Sequence, residues 1–231
     1  MTCLIDNDTQ LQIAAQIGQA VVEVLSELPN HGGEEGITPV LGHALMRRSI
    51  HTSDLHVEFN YRQLSKTVEE PHAGADGAFL VKVTTADAMV EKMALFQAKM
   101  LKGTSPVRDL SMRKSEAERL STQVRKMLAH TDQAVAIFYT LTDIYVVDAR
   151  LYSSSATSNP LSTRHRLITL GTYLGGWMPR CTRGDRRPDL IARAEHMDGF
   201  KHGLTMDVIT KSPPVPWKDD PRGERRRLRG K

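Results

Sequence analysis

Cysteine is nearly absent: Cys3 and Cys181 are the only two among 231 residues. Two thiols cannot build a four-ligand zinc cage or a disulfide-stapled scaffold, and so low a count suits a reducing compartment. Long apolar runs are missing too. No stretch approaches the roughly 20 apolar residues of a bilayer-spanning helix, and the start, MTCLIDNDTQ, lacks the basic-then-apolar order of a secretory signal. The expectation is a cytoplasmic protein with no membrane segment. There is no GxGxxG, no Walker lysine and no GxSxG elbow, which removes dinucleotide binding, nucleotide-driven motors and serine hydrolases of that type. The nine histidines show no metal-ligand spacing with the cysteines, and there are no internal repeats.

What is present is ordinary in amount and uneven in placement. Hydrophobic residues make up 40% and charged residues 25%, values of a globular chain rather than a disordered or collagenous one. The net charge of +4 lies entirely in residues 218–231, KDDPRGERRRLRGK, where seven Lys or Arg face three Asp or Glu. The rest of the chain is neutral. With almost nothing apolar to bury, 218–231 is expected to be a disordered basic tail, able to hold nucleic-acid phosphates or simply to be solvated.

The periodicity predicts an α/β protein. Residues 9–27 place apolar side chains at helical spacing, and a second helix is expected from Thr38 to Arg48, with Pro39 in its first turn and Glu34 and Glu35 at its start. From His56 the period changes to two. Strands are expected at 56–64, 78–84, 92–100, 134–141 and 144–149, forming one mixed sheet. Ser115 and Glu118 have the order of a capping box, opening a helix over 115–129 with Ala117, Leu120, Val124, Met127 and Leu128 on one stripe. Residues 151–163 read as a polar loop, 151–217 as a helical elaboration of a single domain spanning 1–217.

Three residues stand out against their surroundings. Asp76 opens a strand inside Gly74-Ala-Asp-Gly77, where small neighbours leave its carboxylate accessible. Gln97 and Lys99 flank Ala98, and period two puts both on one face of an otherwise apolar strand. Such groups are costly there unless partnered. Each also has a plainer reading: Ala-Asp-Gly is ordinary turn chemistry, Gln97 can be a satisfied core amide, and Lys99 can reach solvent from a strand end. The composition of 92–102 also favours helix. His56 and Glu58 share a strand face that is either solvated or cleft-lining. Arg180, Arg183, Arg186 and Arg187 crowd one loop that could contact phosphate.

A glutamate in an early helix, an aspartate opening a strand and Gln-x-Lys in the next strand resemble the PD-(D/E)xK nuclease superfamily. The Gln-x-Lys branch includes methylation-dependent restriction endonucleases. The resemblance covers about residues 34–147. It implies a restriction-endonuclease-like core, a central mixed sheet flanked by helices, and Mg²⁺-dependent hydrolysis of DNA phosphodiesters, with Mn²⁺ as a substitute. Asp76, Gln97, the Ala98 carbonyl and Glu35 (or its neighbour Glu34) would hold the metal. Lys99 would orient the attacking water and stabilise developing charge. Gln123, in the helix that follows, matches the glutamine of a motif in one branch of the superfamily, although the aromatic partner of that motif is absent.

By the same resemblance the chain is expected to serve restriction or anti-phage defence. RNA as substrate is not separated from DNA by these residues. A nuclease domain lacking a motor or specificity domain is expected to work with a helicase, an ATPase or a sensor subunit, or as a homodimer. The rival expectation is a nucleic-acid-binding subunit that keeps the fold and does not cut, because Gln97 supplies one carboxylate fewer than the commoner Glu.

Overall fold

The computed structural model describes residues 2–3, 5–28, 33–64, 74–103, 106–155, 159–162, 168–179, 183–211 and 215–216. The basic tail and Arg180 lie outside these. Along the chain come β1 (Thr2–Cys3), α1 (Asn7–Glu27), α2 (Glu34–Met46), β2 (Ile50–His51), β3 (Leu55–Gln63), β4 (Gly77–Thr84), β5 (Met89–Met100), α3 (Lys114–His130), β6 (Ala134–Tyr139), β7 (Ile144–Asp148), α4 (Ala149–Ser155), β8 (Ile168–Thr169), α5 (Pro188–His196), β9 (His202–Thr210) and β10 (Val215–Pro216). A π-helical turn spans Thr172–Trp177. Among the described residues no helix is long and apolar enough to cross a membrane.

Eight strands form one mixed sheet in the order β2-β3-β9-β4-β5-β6-β7-β8. The β4–β9 and β5–β6 pairs are parallel and the others antiparallel. Parallel neighbours need a crossover, and α3 supplies it between β5 and β6. The sheet is α/β in class, with helices on both faces. On one face α1, α2 and the π turn bury Ile17, Leu45, Val57, Phe79 and Phe96. On the other, α3, α4 and α5 bury Leu80, Leu95, Leu120, Phe138 and Phe200.

Two of the helices have a capping cause in the sequence. The Asp6 carboxylate caps α1 by accepting from Thr9 N–H at 2.6 Å. In α3 the expected stripe of Ala117, Leu120, Val124 and Met127 is buried, and truncating Leu120 to Ala would cost about 2–5 kcal/mol. The expected capping pair is displaced. The helix starts at Lys114, so Ser115 is already inside the first turn, and Glu116 instead accepts from Arg113 N–H at 3.2 Å.

Three further expectations are corrected. Helix α2 begins at Glu34, four residues before Thr38, so Pro39 sits inside the helix and not in its first turn. The proline removes only the donor to the Glu35 carbonyl, and Glu35 is exposed, so water can take that carbonyl. The start of the expected loop 151–163 belongs to α4, because Tyr152 is fully buried, its hydroxyl donating to the Ala117 carbonyl of α3 at 3.4 Å. The segment 151–217 is not simply helical. Within it β9 alternates buried Leu204, Met206 and Val208 with half-buried Thr205 and Asp207, and it runs mid-sheet between β3 and β4.

Candidate functional site

The site arises where β4 and β5 part. Their antiparallel ladder begins at Gly77↔Phe96. Beyond it, β5 continues through Met100 with only β6 beside it. On the free edge Phe96, Gln97 and Ala98 bond to Asp76 of the 74–76 corner instead of to a strand. Two glycines shape that corner. Gly74 has φ +69°, and a Cβ there would lie 2.8 Å from the Gln123 carbonyl and from Lys126 Cβ of α3. A Cβ on Gly77 would lie 2.3 Å from the His202 carbonyl and 2.5 Å from the Phe96 ring. Larger residues would push the corner off the sheet.

Between these glycines Asp76 is half-buried. Its Oδ2 accepts from Ala98 N–H at 2.9 Å and from Gln97 Nε2 at 2.5 Å. The carboxylate thus takes the ladder position that a β4 carbonyl would fill. The Asp76 main chain is held as firmly: its N–H donates to the Phe96 carbonyl at 2.9 Å, and its carbonyl accepts from Lys201 and His202 N–H, each at 3.1 Å.

Gln97 is 1% exposed. Its amide nitrogen is engaged, but among the described residues nothing donates to its buried Oε1. The same holds for the buried Oε1 of Gln123, on the helix that packs against Gly74. An unpaired buried carbonyl oxygen costs about 1–3 kcal/mol, so these two oxygens can take a water, another donor or a metal ion. Lys99 is half-buried on β5, two residues beyond Gln97 and on the same face, opposite Phe138 of β6. Asp76, Gln97 and the Ala98 main chain are in direct contact, and Lys99 follows on the same strand. Glu35 stands elsewhere on the rim, its Oε1 3.9 Å from Lys201 Nζ and its side chain 69% exposed. Glu34 begins α2 beside it.

Sequence reasoning missed Lys201, His202 and Tyr61. The His202 Nδ1 and Tyr61 hydroxyl are 2.8 Å apart. Burial pushes His202 below its ordinary value, against the opposing pull of Asp76, and burial pushes the Tyr61 hydroxyl up. The available signal was the alternation of 202–210, which marks a strand whose first residues must lie at a sheet end.

Other candidates fall away from this corner. Arg183 pairs with Asp148 at 3.1 Å and lies over Trp177, and Arg187 pairs with Asp185 at 2.8 Å. Both are engaged within the protein, and Arg186 is exposed. His56 stands 3.7 Å from Glu58 and 2.8 Å from His51 Nδ1 on the outer strands. A hollow of about 300 Å³ lies beside Asp148, Tyr173, Trp177 and Arg183, away from the fork, whereas one of about 280 Å³ under α2 is bounded by Tyr61, Phe96 and His202. Among the described residues no group of three His, Cys, Asp or Glu is arranged to hold a metal. The donors at the fork are instead one carboxylate, one amide oxygen and one main-chain carbonyl. Comparison of the chain with protein-family models, with curated proteins and with solved structures finds no match.

Proposed function

We propose that the chain is a Mg²⁺-dependent nuclease with a restriction-endonuclease-like core, hydrolysing DNA phosphodiesters at the fork between β4 and β5. The observation that carries this reading is the buried Gln97 Oε1, without a donor among the described residues, beside a carboxylate fixed by the same side chain. The donor set suits the ion. Mg²⁺ prefers hard oxygen ligands and binds through one or two carboxylates plus substrate phosphates, not through a closed protein cage. Asp76, Gln97 Oε1 and the Ala98 carbonyl would hold it. When bound, the ion supplies Lewis-acid polarisation of the phosphodiester and a more acidic water.

The chain's own residues divide the remaining work. Gln97 Nε2 and Ala98 N–H orient Asp76 before any ligand arrives. Lys99 faces the same side and stabilises charge that appears as the phosphate is attacked. The corner glycines let the segment that carries this carboxylate seat closely against α3 and β9. The biological setting proposed with this chemistry is restriction or anti-phage defence, in company with a protein partner or a second copy.

The single carboxylate at the fork favours a second reading, a nuclease-fold subunit that binds nucleic acid without cutting. One set of measurements separates the two. Supercoiled and linear DNA are incubated with purified protein, with and without Mg²⁺, and Mn²⁺ is titrated into wild type and Asp76→Ala. The nuclease reading expects Mg²⁺-dependent cleavage and saturable Mn²⁺ binding that Asp76→Ala abolishes. DNA binding without cleavage at any metal concentration selects the second reading. Folded protein that shows neither metal nor DNA binding sinks both.

A further inference from the structure

Lys201 stands at the rim of the fork with its main chain fixed and its head group loosely held. Its N–H donates to the Asp76 carbonyl at 3.1 Å, and its carbonyl accepts from Leu64 N–H at 3.0 Å. The residue cannot drift relative to Asp76. Its side chain is 33% exposed, with Nζ 3.9 Å from Glu35 Oε1. That distance is too long for a hydrogen bond, and an ion pair this open to water contributes little. Lys201 is also electrically part of the site. After burial, and against Asp76, its charge helps to keep His202 below its ordinary value. An ammonium carried by a main chain fixed to Asp76, weakly engaged with Glu35 and open to water, is ready to exchange its partner for another anion.

We propose that Lys201 grips the phosphodiester in the ground state, its ammonium leaving Glu35 for a non-bridging phosphate oxygen of DNA, with Glu35 as its resting counter-ion and not a metal ligand. The assignment rests on the nuclease reading above. It gives the two lysines different roles. Lys99 acts on charge that exists only in the transition state, whereas Lys201 acts on charge present throughout.

The test is anisotropy of a fluorescent duplex oligonucleotide at several salt concentrations, with Ca²⁺ replacing Mg²⁺, followed by steady-state cleavage in Mg²⁺. Removing one phosphate contact should lower the slope of log affinity against log salt by about 0.9. Lys201→Ala should weaken binding about tenfold and raise KM by a similar factor, with kcat changed less than about twofold. Lys201→Arg should restore both, and because the main-chain bonds of residue 201 do not need its side chain, both variants should melt like wild type. Glu35→Gln should tighten DNA binding about two- to threefold, through loss of a competing anion, and leave Mn²⁺ affinity unchanged. If wild type cleaves DNA and Lys201→Ala keeps its slope and KM, the proposal falls while the nuclease reading stands. A tenfold loss of Mn²⁺ affinity in Glu35→Gln also overturns it. Wild type that neither binds nor cleaves the duplex overturns both.

Discussion

At the N-terminal end of β5 the charged side chains are engaged, Glu91 by Lys82 and the buried Lys92 ammonium by the Met178 carbonyl at 2.8 Å, whereas close to its C-terminal end a buried oxygen has no partner among the described residues. Glu91 lies 3.0 Å from Lys82, which also meets Glu195 of α5 at 2.5 Å. Met93 exchanges main-chain bonds of 2.9 and 2.8 Å with Asp185, whose carboxylate accepts from Thr131 and Arg187. At Gln97 the strand is as well buried, yet Gln97 Oε1 faces no donor among the described residues. Natural proteins satisfy nearly all buried polar atoms. In this strand it is incomplete pairing, not polarity as such, that sets Gln97 apart.

The sharpest way to break the comparison is at Lys99. Lys99→Ala should slow DNA cleavage by about 10²–10³, the usual cost of removing a preorganised charge from a transition state. DNA affinity and melting temperature should hold, and high Mn²⁺ should not rescue the rate. Wild-type cleavage by a clean preparation of this variant would make Lys99 a surface residue.

Gln97→Leu asks whether the open end behaves unlike the paired end. It deletes the unpaired oxygen and leaves Asp76 its Ala98 donor, so stability should stay within about 1 kcal/mol of wild type or rise. Mn²⁺ affinity, followed by calorimetry, should drop at least tenfold. A loss of more than about 2 kcal/mol would make Gln97 structural.

Lys82→Ala addresses the other end. Hydrogen bonding to Glu195, against the opposing effect of burial, holds the Lys82 ammonium above its ordinary range, and its loss leaves Glu91 and Glu195 facing each other. The side chain is 28% exposed, so screening limits the cost to about 1–2 kcal/mol in denaturant unfolding. Cleavage should be untouched.

The smallest effect is at Asp185. Burial opposes its ionisation, but Arg187 and Thr131 outweigh burial and hold the carboxyl at about 2. A group held low in the folded state adds stability above its unfolded value, about 3.9, and loses it as pH falls towards 2. Acid unfolding of Asp185→Asn should therefore be flatter between about pH 4 and 2, by about 1 kcal/mol once solvent screening is allowed for. An unchanged profile would mean the pair contributes nothing.

Much of this fold was legible because its strands are short, apolar and bounded by turns. The five expected strands fall within three residues of β3 to β7 at each end. Residues 92–100, whose Ala, Met, Leu, Gln and Lys favour helix, form a strand because β4 and β6 pair with both edges and helices cover both faces. The contact of Asp76 with Gln97 follows from period two and the fork. What could not be read is long-range. Only pairing on both sides makes β9 central, with β3 antiparallel and β4 parallel to it, and no local pattern encodes a parallel neighbour so distant in the chain. Lys201 and His202 were hidden for that reason, and α2 was placed late because Pro39 reads as a first-turn residue.

The position of β9 sets an order of assembly. It is the last strand of the eight-stranded sheet to leave the ribosome, yet it fills a slot between two of the earliest. Until residue 202 is made, β3 has only the two residues of β2 to pair with, and the Asp76 carbonyl lacks both of its donors. Such non-local closure is slow compared with hairpin or helix formation. The fork is therefore completed by a single late insertion, and a nascent chain carries Asp76, Gln97 and Lys99 through residues 100–201 without yet holding them in their final arrangement.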